Sequence, residues 1–349
     1  MTRLLIIICI VILLFQFISH ADENNIKHSI DFSVMGSYKL GHLSGYNLDG
    51  VFDFPSYDVI NLPESTYDEL KDPGRSIGSS WGGAEIKVLL NYGLSFPFLV
   101  GEGPLFSGNN IEVNLTGELS PVSLAGGASI TFTPIALIKL SIGASAGTGW
   151  AIGFNGLGRN IEGIEKDSPQ EESFSGIVAN LWASGTLQFD LGAVIPGKWT
   201  HVVMQVTPKI RYLVFTGADD DTAWVWEADE GENFNGIKYT GTYFIGYLMP
   251  LVLDTVGILV ETEQYIDADS VKRSKSADAD WKSDFMRVRF GPLFNFVLSN
   301  KMSLALLPQF RTAKKYTDNT IGNRYFEYRE YESTYFYFER LAFFYNIKL

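Results

Sequence analysis

The sequence predicts an all-β chain closed into one antiparallel sheet of about twelve strands, with ten to fourteen compatible with the pattern. Three observations predict it. Apolar and polar residues alternate with period two over segments of roughly nine or more residues. Past the N-terminus, no stretch is long and apolar enough to cross a membrane as a helix; the best, 245–260, is broken by Pro250 and Asp254. Connections between the alternating segments are long and short in turn, as in barrels with long loops at one end.

The first 21 residues read as an export signal. Arg3 is followed by an apolar run, Leu4 to Phe17, interrupted only by Gln16, and then by Ser19-His20-Ala21 with small residues at both recognition positions. Residues 22–349 are then expected to form a single barrel domain. Cys9 lies inside the signal, so the mature chain has no disulfide to hold it together. The net charge of −13 becomes −14 once Arg3 is removed, which excludes nucleic acid as a partner. An aromatic fraction of 14% suits the girdles of a membrane barrel.

Each strand then follows from its alternation. In 28–40, Ile30, Phe32, Val34 and Tyr38 share one face, and Asp31, Ser33, Ser37 and Lys39 the other. In 84–96, Ala84, Ile86, Val88, Leu90, Tyr92 and Leu94 oppose Glu85, Lys87, Asn91 and Ser95. Residues 111–119 set Ile111, Val113 and Leu115 against Glu112, Asn114, Thr116 and Glu118. A Gly- and Ala-rich fourth strand covers 124–133. The fifth sets Ile138, Leu140 and Ile142 against Lys139, Ser141 and Ser145, and the sixth sets Leu181, Leu187 and Phe189 against Asn180, Ser184, Gln188 and Asp190. Noisier segments follow at 202–214, 239–249, 256–264, 286–298 and 302–312, and the last runs from about 334 to 349. Sandwich strands average about 5–6 residues and spanning strands about 9–11, so length favours a barrel that crosses a membrane. Five of six connections at one end are long and four of five at the other are short, which places the long loops outside and both termini in the periplasm.

Two features run against the pattern. Pro208, Pro292 and Pro308 fall inside strands of a sheet with no free edge, and Glu339 falls on the apolar face of the last strand.

Phe343, Tyr345, Ile347 and Leu349 place apolar residues at every second position to the end. This resembles the terminal-strand signal of bacterial outer-membrane β-barrel proteins, a porin-like class, although that pattern most often ends in Phe. The resemblance covers the mature chain and implies the cell outer membrane as location, with its lipids and the barrel-assembly machinery as partners.

The polar faces would line a lumen. Asp31, Glu85, Glu112, Glu118 and Asp190 come from the first six strands, with Lys39, Lys87 and Lys139 among them, and Lys209, Arg211, Arg287, Arg289 and Arg311 from the later ones, with Glu261 and Glu263 on the ninth. Carboxylates are thus expected mostly on one wall and cations on the other, giving a transverse field that sorts solutes. The expected function is a channel that passes or binds a small hydrophilic solute, and the Arg residues suit carboxylate or phosphate. No cofactor is expected. The acidic loop segment Asp219, Asp220, Asp221, Glu227 and Asp229 is a weak calcium candidate without EF-hand spacing. The alternatives are a non-conducting barrel acting as an adhesin through its acidic loops, a transporter of hydrophobic substrates, or an outer-membrane hydrolase. For the last, the mature chain has only His28, His42 and His201 and no Gly-x-Ser-x-Gly motif, so an enzyme is not expected. Small residues on the outer face of strands four and five leave an oligomer open.

Overall fold

The computed structural model describes residues 26–39, 42–43, 52–53, 84–150, 157–159, 170–171, 173–218, 224–227, 233–266, 284–316 and 331–349. Twelve long strands form one closed antiparallel barrel. They are β1 (Lys27–Lys39), β2 (Ala84–Pro97), β3 (Asn110–Leu119), β4 (Ser123–Ile135), β5 (Ile138–Gly149), β6 (Val178–Asp190), β7 (Val202–Phe215), β8 (Gly236–Leu248), β9 (Leu253–Tyr265), β10 (Arg287–Val297), β11 (Met302–Tyr316) and β12 (Tyr331–Lys348). Every strand pairs with its neighbours in sequence, and β1 closes the ring against β12, Asp31 opposite Lys348 and Lys39 opposite Arg340. Among the described residues no helix is long and apolar enough to cross a membrane. The predicted segments match the strands with ends shifted by a few residues; the predicted export signal, residues 1–21, lies outside the described residues.

The side chains turn the usual globular arrangement inside out. Large apolar residues on the outward face are exposed, Leu181 at 58% and Leu187 at 59%, with Leu90, Leu115, Ile142, Ile210, Ile245 and Ile258 continuing the band around the ring. Polar side chains occupy the inner face and bond across strands, as do Thr131 with Ser141 and Thr186 with Thr207. Strands of 10 to 18 residues exceed the length a tilted strand needs to cross a bilayer.

The three prolines are accommodated without a free edge. Pro208 falls where the β6–β7 ladder skips between Ser184↔Lys209 and Leu187↔Val206. Pro292 and Pro308 share the skip in the β10–β11 ladder, between Phe290↔Phe310 and Phe294↔Leu306, so their missing N–H donors fall where no ladder bond is made. Gly291 makes this possible: a Cβ there would overlap the carbonyl of Pro308.

Glu339 does not lie on the apolar face. A bulge between the pairs Gln309↔Arg340 and Phe310↔Phe338 inserts it as an extra residue in β12. The bulge turns Glu339 to the inside, where it is 4% exposed, and keeps Phe336, Phe338 and Leu341 on the outside.

Candidate functional site

The inner face of β7 to β12 holds the basic residues the sequence places there, together with the acids that neutralise part of them. Glu339 takes Arg289 Nε at 2.5 Å and Nη2 at 2.8 Å, a bidentate pair, and Arg311 Nη1 at 3.2 Å. Arg289 also approaches Glu261 at 3.7 Å, and Gln309 donates to Glu261 and accepts from Arg340. Toward the outer end, Glu263 binds Lys238 Nζ at 2.6 Å and Arg211 Nη2 at 3.3 Å. Lys238 is 2% exposed, with its ammonium 4.5 Å from the Tyr265 ring. Arg287 stands opposite Glu263 in the β9–β10 register.

The expectation of an acidic wall facing a basic one is therefore corrected in part. Besides Glu261 and Glu263, which the sequence already places on the ninth strand, the basic wall carries Glu339, and its guanidinium groups pair along the wall. Sequence reasoning missed Glu339 because period-two counting cannot see a bulge.

The remaining predicted residues are dispersed. Asp31 lies near the inner end, opposite Asn91 and Lys348. Glu112 accepts from Asn114 at 2.9 Å, and Glu118 pairs with Lys87 at 2.6 Å. The Glu85 backbone pairs with Ser37, and its side chain lies outside the described residues. Asp190 clasps the inner rim, accepting from Gly192 N–H at 2.8 Å and bonding His201 Nδ1 at 2.8 Å. No hydroxyl is bonded to His201 among the described residues. Lys209 stands apart: its ammonium lies 4.6 Å from the centre of the Trp182 ring and pairs with no carboxylate among the described residues.

The outer mouth is crossed by a strap from the β7–β8 connection. Trp224–Trp226 pairs with Leu157–Arg159, which pairs in turn with Gln170–Glu171 from the β5–β6 connection. Beneath this small sheet, Leu157 and Trp224 are fully buried against Val178, Leu213 and Phe215 of the lumen face. The strap thus covers the apolar inner-face residues Val178, Leu213 and Phe215 of β6 and β7.

Beyond Trp226 the strap reaches the far wall. Glu227 accepts from Ser123 Oγ at 2.6 Å on β4 and pairs with Lys87 Nζ at 2.5 Å on β2, while Lys87 also holds Glu118. Glu227 takes a left-handed backbone, φ 56°, a strain that non-glycine residues bear only where their surroundings hold them. Burial pushes its carboxyl above the usual carboxylate range, and Glu118 adds to the rise, against the pull of Lys87 and Ser123. Of the calcium candidates, Glu227 is thus committed to Lys87 and Ser123, and Asp219, Asp220, Asp221 and Asp229 lie outside the described residues. No group of three or more metal-ligating side chains occurs among the described residues.

No family model and no curated protein matches the chain. Solved structures similar to it are outer-membrane proteins. The outer membrane channel DcaP of Acinetobacter baumannii aligns at 6% identity over 94% of this chain and 99% of its own, with a TM-score of 0.31. A bacterial polysaccharide outer membrane secretin aligns at 6% over 94% and 100%, TM-score 0.33. Outer membrane phospholipase A from Escherichia coli aligns at 9% over 93% and 92%, TM-score 0.29. Likeness at this level does not say what the chain does.

Proposed function

We propose that the protein is an outer-membrane channel that passes or binds a small hydrophilic solute through its charged lumen. The observation that carries this reading is the inversion of polarity: an exposed apolar band outside and bonded polar side chains inside. A closed sheet with that inversion satisfies its backbone in lipid and presents a wet path within. The export signal and the terminal-strand pattern support delivery to the outer membrane, with its lipids and the barrel-assembly machinery as partners. Inward cations on β7 to β12 outnumber the three carboxylates that neutralise them, which favours anions.

Liposomes containing the refolded protein should swell when neutral or anionic solutes of sugar size are added, and control liposomes should not. Folded barrel that admits no solute would reject the reading.

The strap favours a second reading, in which the barrel is shut and its outer connections do the work. Swelling with the wild-type protein separates the two.

A further inference from the structure

The channel reading says nothing of which solute pauses in the lumen, but the inner face of β5, β6 and β7 does. Two lysines there have no anionic partner among the described residues. Lys139 on β5 stands opposite Thr186 of β6, and Lys209 on β7 stands opposite Ser184 of β6. Neither forms an ion pair among the described residues, whereas Lys87, Lys238, Arg211, Arg289 and Arg311 all do. Most of the described lumen carboxylates are paired elsewhere, Glu118 with Lys87, Glu263 with Lys238 and Arg211, Glu261 and Glu339 with the arginines and Asp190 at the rim, while Glu112 bonds Asn114 and forms no ion pair with Lys139. Two strand spacings and two residue rises put the lysine Cα atoms about 12 Å apart, close enough for their arms to converge on one small solute.

The surface between them is hydroxyl-rich and has an aromatic floor. Ser184 lies between the two lysines' strands, and the Thr186 and Thr207 hydroxyls bond at 3.0 Å. Trp182 lies flat against the wall because its neighbour is Gly143, where a Cβ would overlap the indole. Lys209 rests over that ring, which holds the ammonium in place without neutralising it. Beside it, Arg211 stands opposite Trp182, and its Nε is buried with no hydrogen-bond partner among the described residues. Unpaired ammonium groups beside an unsatisfied polar atom are costly in a closed wall, and a ligand that supplies the missing partners repays that cost.

We propose that Lys139, Lys209 and the hydroxyls between them form a seat for a small hydroxylated carboxylate. The carboxylate takes the ammonium groups, and the solute's hydroxyls exchange bonds with Ser184 and Thr186. Chloride lacks the hydroxyls and a neutral sugar lacks the charge, so neither is held as tightly. The proposal rests on the channel reading only for its current readout.

The test uses the refolded full chain in a planar bilayer, with potassium gluconate as probe and potassium chloride and glucose as controls. Gluconate current should saturate with concentration while chloride current rises nearly in proportion, and glucose should not compete. K209Q should weaken gluconate binding about tenfold, the scale of one charge-assisted hydrogen bond, and K209R should restore it. Gluconate current as linear as chloride current, equal competition by glucose, or unchanged saturation in K209Q would overturn the seat. A silent barrel would reject the channel reading instead. The seat is then tested by tryptophan emission in detergent micelles: gluconate should shift it in wild type and not in W182F, and no wild-type shift overturns the seat.

Discussion

Glu227, from the connection between β7 and β8, is ion-paired at 2.5 Å with Lys87 on β2, on the far side of the barrel mouth. The pair joins residues that no local rule brings together, and it fastens a strap whose other end is anchored by the buried Trp224. It makes the outer mouth a latched entrance.

E227Q should unlatch that entrance. The expected outcome is larger or noisier single-channel current, with thermal unfolding changed by no more than about 1 kcal/mol, since Lys87 keeps Glu118. Current indistinguishable from wild type would show that the strap does not restrict the mouth.

Acid should act like that substitution. The Glu227 carboxyl, which faces Lys87, Glu118 and Ser123, is held above the usual carboxylate range, so it takes up a proton before ordinary carboxylates do as pH falls. The folded state binds this proton more tightly than the unfolded chain, so acidification through this window does not destabilise the fold by way of Glu227. It removes the charge that holds the strap. Current should therefore rise in mild acid in wild type and stay flat in E227Q, and recordings across a pH series read this directly.

E339Q should damage the barrel. It takes from Arg311 its contact with Glu339 and leaves Arg289 with only the longer contact to Glu261, a change of about 3 kcal/mol at the low end for a broken buried pair. Urea unfolding of the refolded protein in vesicles measures it, and a loss below about 1 kcal/mol would mean that the arginines are solvated in the lumen.

Most of the fold was legible because period two is a local property. Twelve strands, their order and the ends carrying long loops all followed from alternation and spacing. What the sequence hid was the backbone irregularity. Pro292 and Pro308 looked like objections until Gly291 let their strands approach with a ladder skip between them. Glu339 looked misplaced because one inserted residue reverses facing from that point on. The lumen residues were legible as a set, but their pairings were not. In the sequence Glu227 is no more than a weak calcium candidate, because nothing there relates position 227 to position 87.

Neutralising Arg289 should therefore shift reversal potential in a salt gradient less than neutralising Lys209, since Arg289 is matched by Glu339 and Lys209 by no carboxylate among the described residues. A larger shift for R289Q than for K209Q would restore the picture of an unopposed arginine wall.

The two faces should also differ in what they tolerate. Leu181→Arg on the exposed outer band should cost about 2–4 kcal/mol for folding into vesicles if that band meets lipid near the midplane. Ser184→Arg, on the inner face two strand positions from Lys139, should fold in vesicles. Equal tolerance would argue that the outer band meets water.

Single-channel recording of the refolded mature protein in a planar bilayer tests the central claim most directly, after heat-modifiable migration has shown that the sample is folded. The account predicts discrete steps with current selective for anions. A folded barrel that inserts and stays silent, in wild type and in E227Q alike, would contradict it.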